Sequence, residues 1–172
     1  MRVFDLLMPL TTRARTSRFW LWVLNVVLAR VIPFNRPHGF GIDVIGEEYI
    51  RTRSRYRKSN FNHIRGIHAC AIATIAEFSA GFLLLTWLDP ARYRLIMSDL
   101  QVEYVYQAKE DIFSESRFDS TRMTAEVLEP LKSHEQVTVT MESRVTDVSG
   151  NEIAFARTTW QIKQWDRVKT RM

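Results

Sequence analysis

The chain has 172 residues, 46% of them hydrophobic and 25% charged, so it suits one globular domain with a sizeable core and is not largely disordered. A single cysteine excludes an intrachain disulfide, and no histidine and cysteine set has zinc-like spacing, so no metal is expected. The net charge of +5 favours an anionic partner such as a phosphorylated ligand or anionic lipid. Nucleic acid has little support as a partner, because the basic residues lack interleaved aromatic residues on a binding platform.

The first predicted element is an N-terminal helix over residues 17–32, which two prolines close. Its apolar run, Phe19–Ile32, is shorter than the roughly 20 residues of a membrane-spanning helix, and Asn25 and Arg30 interrupt it. The helix therefore either packs on the domain or lies in a membrane interface, with the preceding arginines facing lipid headgroups. Packing is the preferred hypothesis, and peripheral membrane contact through Phe19–Ile32 is the alternative.

Two short strands are predicted next, at Gly41–Ile45 and Tyr49–Arg57. The second strand alternates with a period of two, which places four arginines on one face. They are Arg51, Arg53, Arg55 and Arg57. A basic face of this kind is most often a solvated outer face, and the alternative is that it holds the phosphates of a ligand.

After a loop over residues 59–66, a long apolar helical stretch runs from Gly66 to Leu88. Glu77 lies at its middle, where an ionised carboxylate costs several kcal/mol unless it is paired, hydrogen-bonded or protonated. A buried acid should have a raised pKa, which suits a general base or acid near neutral pH. The alternative is that Glu77 reaches the helix surface or pairs with an arginine. Its charge also favours a core helix over a membrane span.

The remaining residues are predicted to form mainly antiparallel strands. These are Leu95–Gln107, Asp111–Arg117, Gln136–Asp147 and Glu152–Gln164, with a short helix at Ser120–Leu131. The last two strands join through Ser149-Gly150-Asn151, a strong hairpin signal. A curved antiparallel sheet wrapped around the long helix would bury it, which predicts an α+β domain. Edge strands of such a sheet commonly pair with a second copy in a two-fold dimer.

A motif lies at the start of the long helix. The run Asn62-His-Ile-Arg-Gly-Ile-His68-Ala, followed by Glu77, resembles the hotdog-fold acyl-CoA thioesterases of the phenylacetate-pathway type. Members of that group carry an asparagine, a histidine six residues later followed by two glycines, and an acid nine residues after the histidine. Both spacings agree here, but Ala69 and Cys70 stand where the group has glycines. The whole chain, with its extra N-terminal helix, also resembles an uncharacterised hotdog group.

The resemblance implies thioester hydrolysis in a hotdog fold, in which the acid and a carbonyl-polarising N–H come from opposite subunits. It implies that Glu77 acts as general base or nucleophile and that Asn62 orients the attacking water. His68 would shape the helix start and the pantetheine pocket, with its backbone and the Ala69 N–H facing the thioester carbonyl. Independently, first-turn N–H groups lack intrahelical partners and lie at the positive end of the helix dipole, so they favour an oxyanion.

The expected partners follow from the same resemblance. The substrate would be a thioester of coenzyme A or acyl-carrier protein, with no separate cofactor, and the assembly a homodimer or a dimer of dimers in the cytoplasm or peripheral to a membrane. Substrate contacts are expected from His63, Arg65 and Gly66, and coenzyme A phosphates could also meet the arginine face or Arg92. We expect residues 39–165 to form the domain, residues 1–38 a basic segment with its packed helix, and residues 166–172 a tail.

Two other functions remain open. Hotdog dehydratases use a histidine and a glutamate fourteen residues apart, a spacing that His63 and Glu77 share, but the Pro-Gly and Met-Pro-Gly elements of those enzymes are missing. A non-catalytic acyl or lipid-binding module would keep the pocket without needing the acid. Structural roles are also open: Asn62 could form an Asx turn, and Cys70 is expected to be an inert packed cysteine.

Overall fold

A six-stranded antiparallel sheet packs around one long helix in the computed structural model, which describes residues 3–168, with side chains from residue 7 onward. The strand order is β1-β2-β4-β5-β6-β3. The strands are β1 (Gly41–Ile45), β2 (Tyr49–Ser54), β3 (Tyr93–Tyr104), β4 (Ile112–Arg117), β5 (Gln136–Asp147) and β6 (Glu152–Gln164). The longer helices are α1 (Val3–Ala14), α2 (Arg18–Val31) and α4 (Ala69–Trp87), with a short α3 (Asn35–His38) between α2 and β1.

The central helix α4 begins three residues later than the sequence predicts. His68 is its N-cap, and His68 Nδ1 accepts the Cys70 N–H at 3.1 Å, which holds the first turn. By length and composition α4 could cross a membrane, but most of it is buried inside this domain. It is therefore the core helix that the charge at its centre predicted.

Hydroxyl groups fix the rotation of α4 against the sheet. Thr52 Oγ1 donates to the Ile75 carbonyl at 2.8 Å, and Ser143 Oγ donates to the Ala76 carbonyl at 3.0 Å. Ser79, one turn further along, bonds the Ser143 hydroxyl at 3.2 Å. Because these groups mark the side of α4 that meets the sheet, the side chains on its other side face the N-terminal helices.

Helix α2 packs on the edge strand β1 through a paired amide. Asn25 Nδ2 donates to the Ile42 carbonyl at 2.9 Å, and the Ile42 N–H donates to Asn25 Oδ1 at 2.7 Å. The Asn25 side chain therefore makes the two hydrogen bonds to Ile42 that a neighbouring strand would make, at an edge of the sheet that is otherwise open. Asn25, which interrupts the apolar run in the sequence, is the residue that attaches α2 to the domain.

Helix α1 is absent from the sequence prediction, which treats that region as a basic segment. Its buried side chains, Leu7, Leu10 and Ala14, recur at the three- and four-residue spacing of a helix face. Pro9 and the nearby arginines obscure this pattern in the sequence.

Most predicted strands occur where expected, with local differences. Strands β5 and β6 have the predicted bounds, whereas β2 ends at Ser54, three residues early. The segment predicted as one short helix at Ser120–Leu131 is helical, but it is not a single regular α-helix. The chain there forms a short α-helix at Ser120–Arg122, a π-helical turn at Met123–Leu128, and a second short α-helix at Pro130–Ser133, which begins at the proline.

The arginines of β2 lie on the outer face of the sheet, where Arg51 pairs with Asp43 at 2.7 Å and covers the Phe113 ring. Of the predicted tail at residues 166–172, the last four residues lie outside the described part of the chain, and Trp165–Arg167 forms one 3-10 turn.

Strand β3 leaves the long edge of the sheet open. It pairs on one side with β6, and among the described residues no strand lies on its other side. Several large apolar side chains on and just after it are exposed. They are Ile96, Tyr104, Val105 and Tyr106. A long open edge with exposed apolar residues is a surface for pairing with another chain.

Candidate active site

A cavity of about 610 Å³ lies between α4, the N-terminal helices and the β3–β6 end of the sheet. Its lining is mainly apolar, and its charged residues are Glu77 and Arg94. Trp160 packs directly on α4, because a Cβ at Gly81 would come within 2.5 Å of the indole ring. A glycine inside this helix therefore lets the indole form a wall of the cavity.

Glu77 is a half-buried acid without a counter-ion. Burial raises the pKa of its carboxyl from 4.5 to about 7, in the direction that the sequence predicts. No lysine, arginine or histidine of the described chain forms an ion pair with it, so the alternative of a pairing arginine is not observed. At neutral pH this carboxyl is therefore divided between a proton acceptor and a proton donor.

Arg94 is the cation of the same cavity. Its Nε is buried and has no hydrogen-bond partner among residues 7–168. A buried donor left unpaired costs roughly 1–3 kcal/mol. An acceptor oxygen on a ligand would remove that cost, so Arg94 favours a ligand with an anionic or strongly polar group.

A second cavity, of about 210 Å³, lies beside the first turn of α4. His38, Asn60, His68 and Cys70 are among its lining residues. Phe34 and Thr74 line both cavities, which therefore adjoin along one side of α4. An elongated ligand could thus extend from the helix start to Glu77 and beyond.

The N-terminal N–H groups of α4 are not equally available. The His68 N–H donates to the Asn60 carbonyl at 2.7 Å, and the Cys70 N–H donates to His68 Nδ1. The His68 N–H is therefore already paired within the chain, and contact between the His68 backbone and a thioester stays a prediction. The Ala69 N–H has no acceptor within the described part of the chain, and it is the donor that remains for an oxyanion.

Asn60 is the residue that anchors the helix start, and sequence reasoning missed it. Its side chain is 2% exposed. Its Nδ2 lies 3.0 Å from Ser54 Oγ and from the carbonyls of Arg55 and His38, and its Oδ1 lies 3.0 Å from His38 Nδ1. An asparagine in a polar loop carries no sequence signal of such burial.

Asn62, which the motif singles out, shapes the loop before α4. Its Oδ1 accepts the N–H groups of Ile64 at 3.1 Å and Gly66 at 2.9 Å, the Asx-turn arrangement that was the structural alternative. Its amide NH₂ has no acceptor among the described residues, and Asn62 lines neither cavity. A role in orienting water remains a prediction.

The two asparagines give a matched test of this anchor. Asn60→Ala is expected to lower the free energy of unfolding by about 3 kcal/mol, because it leaves buried polar partners unpaired. Asn62→Ala, in a half-exposed loop, is expected to lower it by about 1 kcal/mol. Denaturant unfolding of both variants measures the difference, and equal losses would contradict the assignment of Asn60 as the anchor.

The other residues predicted to contact the substrate, His63, Arg65 and Gly66, lie on the same loop as Asn62 and line neither cavity in this chain. His63 is exposed, and Arg65 is exposed with a left-handed φ of 60°. Gly66 is buried, and a Cβ there would come within 2.9 Å of the Gln107 side chain. Cys70 is exposed, so the expectation of a packed cysteine is wrong. Substrate contact by the loop residues remains a prediction.

Comparisons with known proteins place this arrangement in a class. The sheet around a central helix is the hotdog fold. The chain superposes on a Pseudomonas aeruginosa protein of unknown function that is called a probable thioesterase. The TM-score is 0.74 and the identity is 27%, over 83% of this chain and 95% of that one. A Haemophilus influenzae thioesterase superposes with a TM-score of 0.67 and 10% identity over 88% and 95%. A mutant Pseudomonas aeruginosa thioesterase superposes with a TM-score of 0.67 and 12% identity, over 84% of this chain and 94% of that one.

Within that class, residues 21–162 match the model of a family described as a domain of unknown function, DUF4442, and the chain belongs to this family. No curated protein matches the sequence significantly. Helix α1 and the first turn of α2 precede the matched residues.

Proposed function

We propose that the protein hydrolyses an acyl thioester carried by coenzyme A or acyl-carrier protein. The observation that carries this proposal is Glu77, an unpaired acid with a pKa of about 7 in the lining of a largely apolar cavity. The name of the Pseudomonas aeruginosa protein, 27% identical to this chain, supports the same reaction class.

The reaction assigns one task to each part of the site. The acyl chain lies in the larger cavity, and the thioester carbonyl lies at a helix start, where the Ala69 N–H stabilises the developing oxyanion. Ionised Glu77 takes a proton from water as the water attacks the carbonyl carbon. When the tetrahedral intermediate breaks its C–S bond, the same carboxyl returns the proton to the leaving thiolate. The products are a carboxylic acid and a free thiol.

One chain does not complete this site. Ala69 and Glu77 are eight residues apart, which corresponds to about 12 Å along a helix, so one carbonyl carbon cannot meet both groups of the same chain. A two-fold dimer can supply the acid from one chain and the N–H from the other. The open edge of β3, with exposed Tyr104 and Val105, is the surface through which we propose that the dimer forms.

The charged end of the ligand is assigned to Arg94. The cations suggested by the sequence, which are the arginine face of β2, Arg65 and Arg92, line neither of these two cavities, and Arg51 borders a separate cavity on the outer face of the sheet. The buried Nε of Arg94, by contrast, lacks an acceptor among the described residues. Arg94 therefore binds either a phosphate of the carrier or a polar group of the acyl chain. Arg92, by contrast, is exposed and lies over the Tyr93 ring.

The test is release of free thiol from short, long and aromatic acyl-CoAs and from one acyl-carrier-protein thioester. Hydrolysis of at least one of these substrates is expected, with preference for chains that fill the cavity. A parallel incubation with an enoyl-CoA tests for hydration, which is measured as the loss of the double bond conjugated with the thioester carbonyl. Hydration without thiol release would replace hydrolysis by dehydratase chemistry, and a stably bound acyl-CoA without turnover would make the protein a binding module.

A further inference from the structure

Helix α2 carries an exposed aromatic patch that the proposed reaction does not use. Phe19 is 63% exposed and Trp22 is 62% exposed, although buried Leu24 and Leu28 hold the other side of the helix on the domain. The two aromatic rings lie 6.2 Å apart and project as one unit. We call Phe19 and Trp22 the α2 aromatic patch. Exposed neighbouring aromatic residues on a packed helix indicate an interaction surface.

The net charge of the chain comes from the segment that carries this patch. Residues 1–42 contain six arginines and one aspartate, which accounts for the whole net charge of +5, because the remaining residues carry eighteen basic and eighteen acidic side chains. No acidic residue occurs between Asp5 and Asp43. The described arginines of this segment are all exposed. They are Arg13, Arg15, Arg18, Arg30 and Arg36.

We propose that the α1–α2 region docks on an anionic lipid bilayer, with the α2 aromatic patch in the headgroup layer. Tryptophan and phenylalanine beside arginines are the side chains that interfacial helices use, and each basic residue near an anionic surface adds affinity. A second copy of the chain is a poor occupant, because a two-fold interface would bring two identical positive surfaces together.

The contrast with the β3 edge supports this assignment. The apolar side chains exposed there lie close in sequence to Asp99, Glu103 and Glu110. Residues 92–110 carry three basic and three acidic side chains, so this edge lacks the excess of positive charge that an anionic bilayer requires. The two exposed patches thus have different partners: a second copy at β3, and lipid at α2.

The position of α2 relates docking to the ligand. Val31 at the end of α2, and Ile32 and Phe34 just beyond it, line the larger cavity, and Phe34 is 59% exposed. One end of the helix therefore carries the aromatic patch, and the other end borders the acyl cavity. Phe19 and the exposed Arg13, Arg15 and Arg18 precede the residues that match the family, whereas Trp22 lies within them.

Flotation of the full-length protein with vesicles tests the proposal. We expect binding to vesicles of phosphatidylcholine and phosphatidylglycerol in equal parts, weak binding to phosphatidylcholine alone, and release at high salt. Phe19→Ser with Trp22→Ser is expected to lower the partition coefficient at least tenfold. Arg15→Gln with Arg18→Gln is expected to lower it about 25-fold, at about fivefold for each arginine.

Matched variants separate docking from unfolding and from net charge. Lys109→Gln with Arg144→Gln removes the same charge from exposed positions elsewhere, and we expect it to change the partition coefficient less than twofold. Thermal unfolding and thiol release from a water-soluble acyl-CoA should be unchanged in the aromatic variant. Equal losses in both charge variants, or equal binding of the wild type to neutral and anionic vesicles, would overturn the proposal. A change of oligomeric state in the aromatic variant would instead make α2 an interface between copies.

Discussion

Glu77→Gln is expected to lower kcat for thioester hydrolysis by about 10²- to 10⁴-fold, the range over which a positioned acid–base group contributes. The amide keeps the size and much of the hydrogen-bonding capacity of the acid but cannot accept or return a proton. Free-thiol release under saturating substrate measures the loss. Glu152→Gln, which removes an exposed carboxylate, is the control and should leave kcat unchanged. Activity of Glu77→Gln within twofold of wild type would remove Glu77 from the mechanism.

The pH profile gives this prediction a second readout. Because the pKa of Glu77 is raised to about 7, kcat/KM should rise tenfold per pH unit below 7 and level off above it, as the carboxyl becomes ionised. The residual activity of Glu77→Gln should lack this step. A wild-type profile that falls with pH through 7 would instead assign Glu77 as a general acid.

The same substitution should stabilise the fold. The folded state holds the Glu77 proton with a pKa of about 7 and the unfolded state with one of 4.5, so the free energy of unfolding decreases as pH rises between these values. The full decrease is about 3 kcal/mol. Glu77→Gln should therefore exceed wild type in stability at pH 8 and approach it at pH 4. A variant less stable than wild type at pH 8 would mean that the carboxylate supports the fold.

The sequence predicts the strands of the sheet and the functional importance of Glu77 because both depend on residues close together in the chain. The period-two alternation of β5 and β6, with the Ser149-Gly150-Asn151 turn, specifies a hairpin from adjacent residues. Glu77 is conspicuous because every neighbour on its helix is uncharged. The raised pKa follows from burial, which that setting already implies.

The cavity and its second charge could not be predicted in this way. Arg94 precedes Leu95, where the sequence predicts the strand to begin, and the cavity that it lines is enclosed by elements distant from it in sequence. Asn60 and Asn62 lie two residues apart in the same polar loop. Only the tertiary contacts with His38 and Ser54 show that Asn60 anchors the helix start. Roles that depend on residues distant in sequence therefore required the structure.

Ala69→Pro is expected to lower kcat by about 10²- to 10³-fold while leaving the fold intact, because it deletes the one N–H assigned to the oxyanion. Ala69 is the first residue of α4, where proline is well tolerated. His68 already has the extended backbone, φ −65° and ψ 141°, that a residue before proline requires. Ala69→Gly, which keeps the N–H and restores the glycine of the related motif, is the control. Full activity in Ala69→Pro would remove this N–H from the site.

Mixing the two inactive variants tests the shared site. When Glu77→Gln and Ala69→Pro chains are co-expressed and form mixed dimers, one of the two sites combines the intact acid of one chain with the intact N–H of the other. About a quarter of wild-type activity should therefore return in a statistical mixture. If both groups acted within one chain, every site would keep a defect and no activity would return. Recovery thus distinguishes a site built by two chains from one built by a single chain, using variants that leave the β3 edge unaltered.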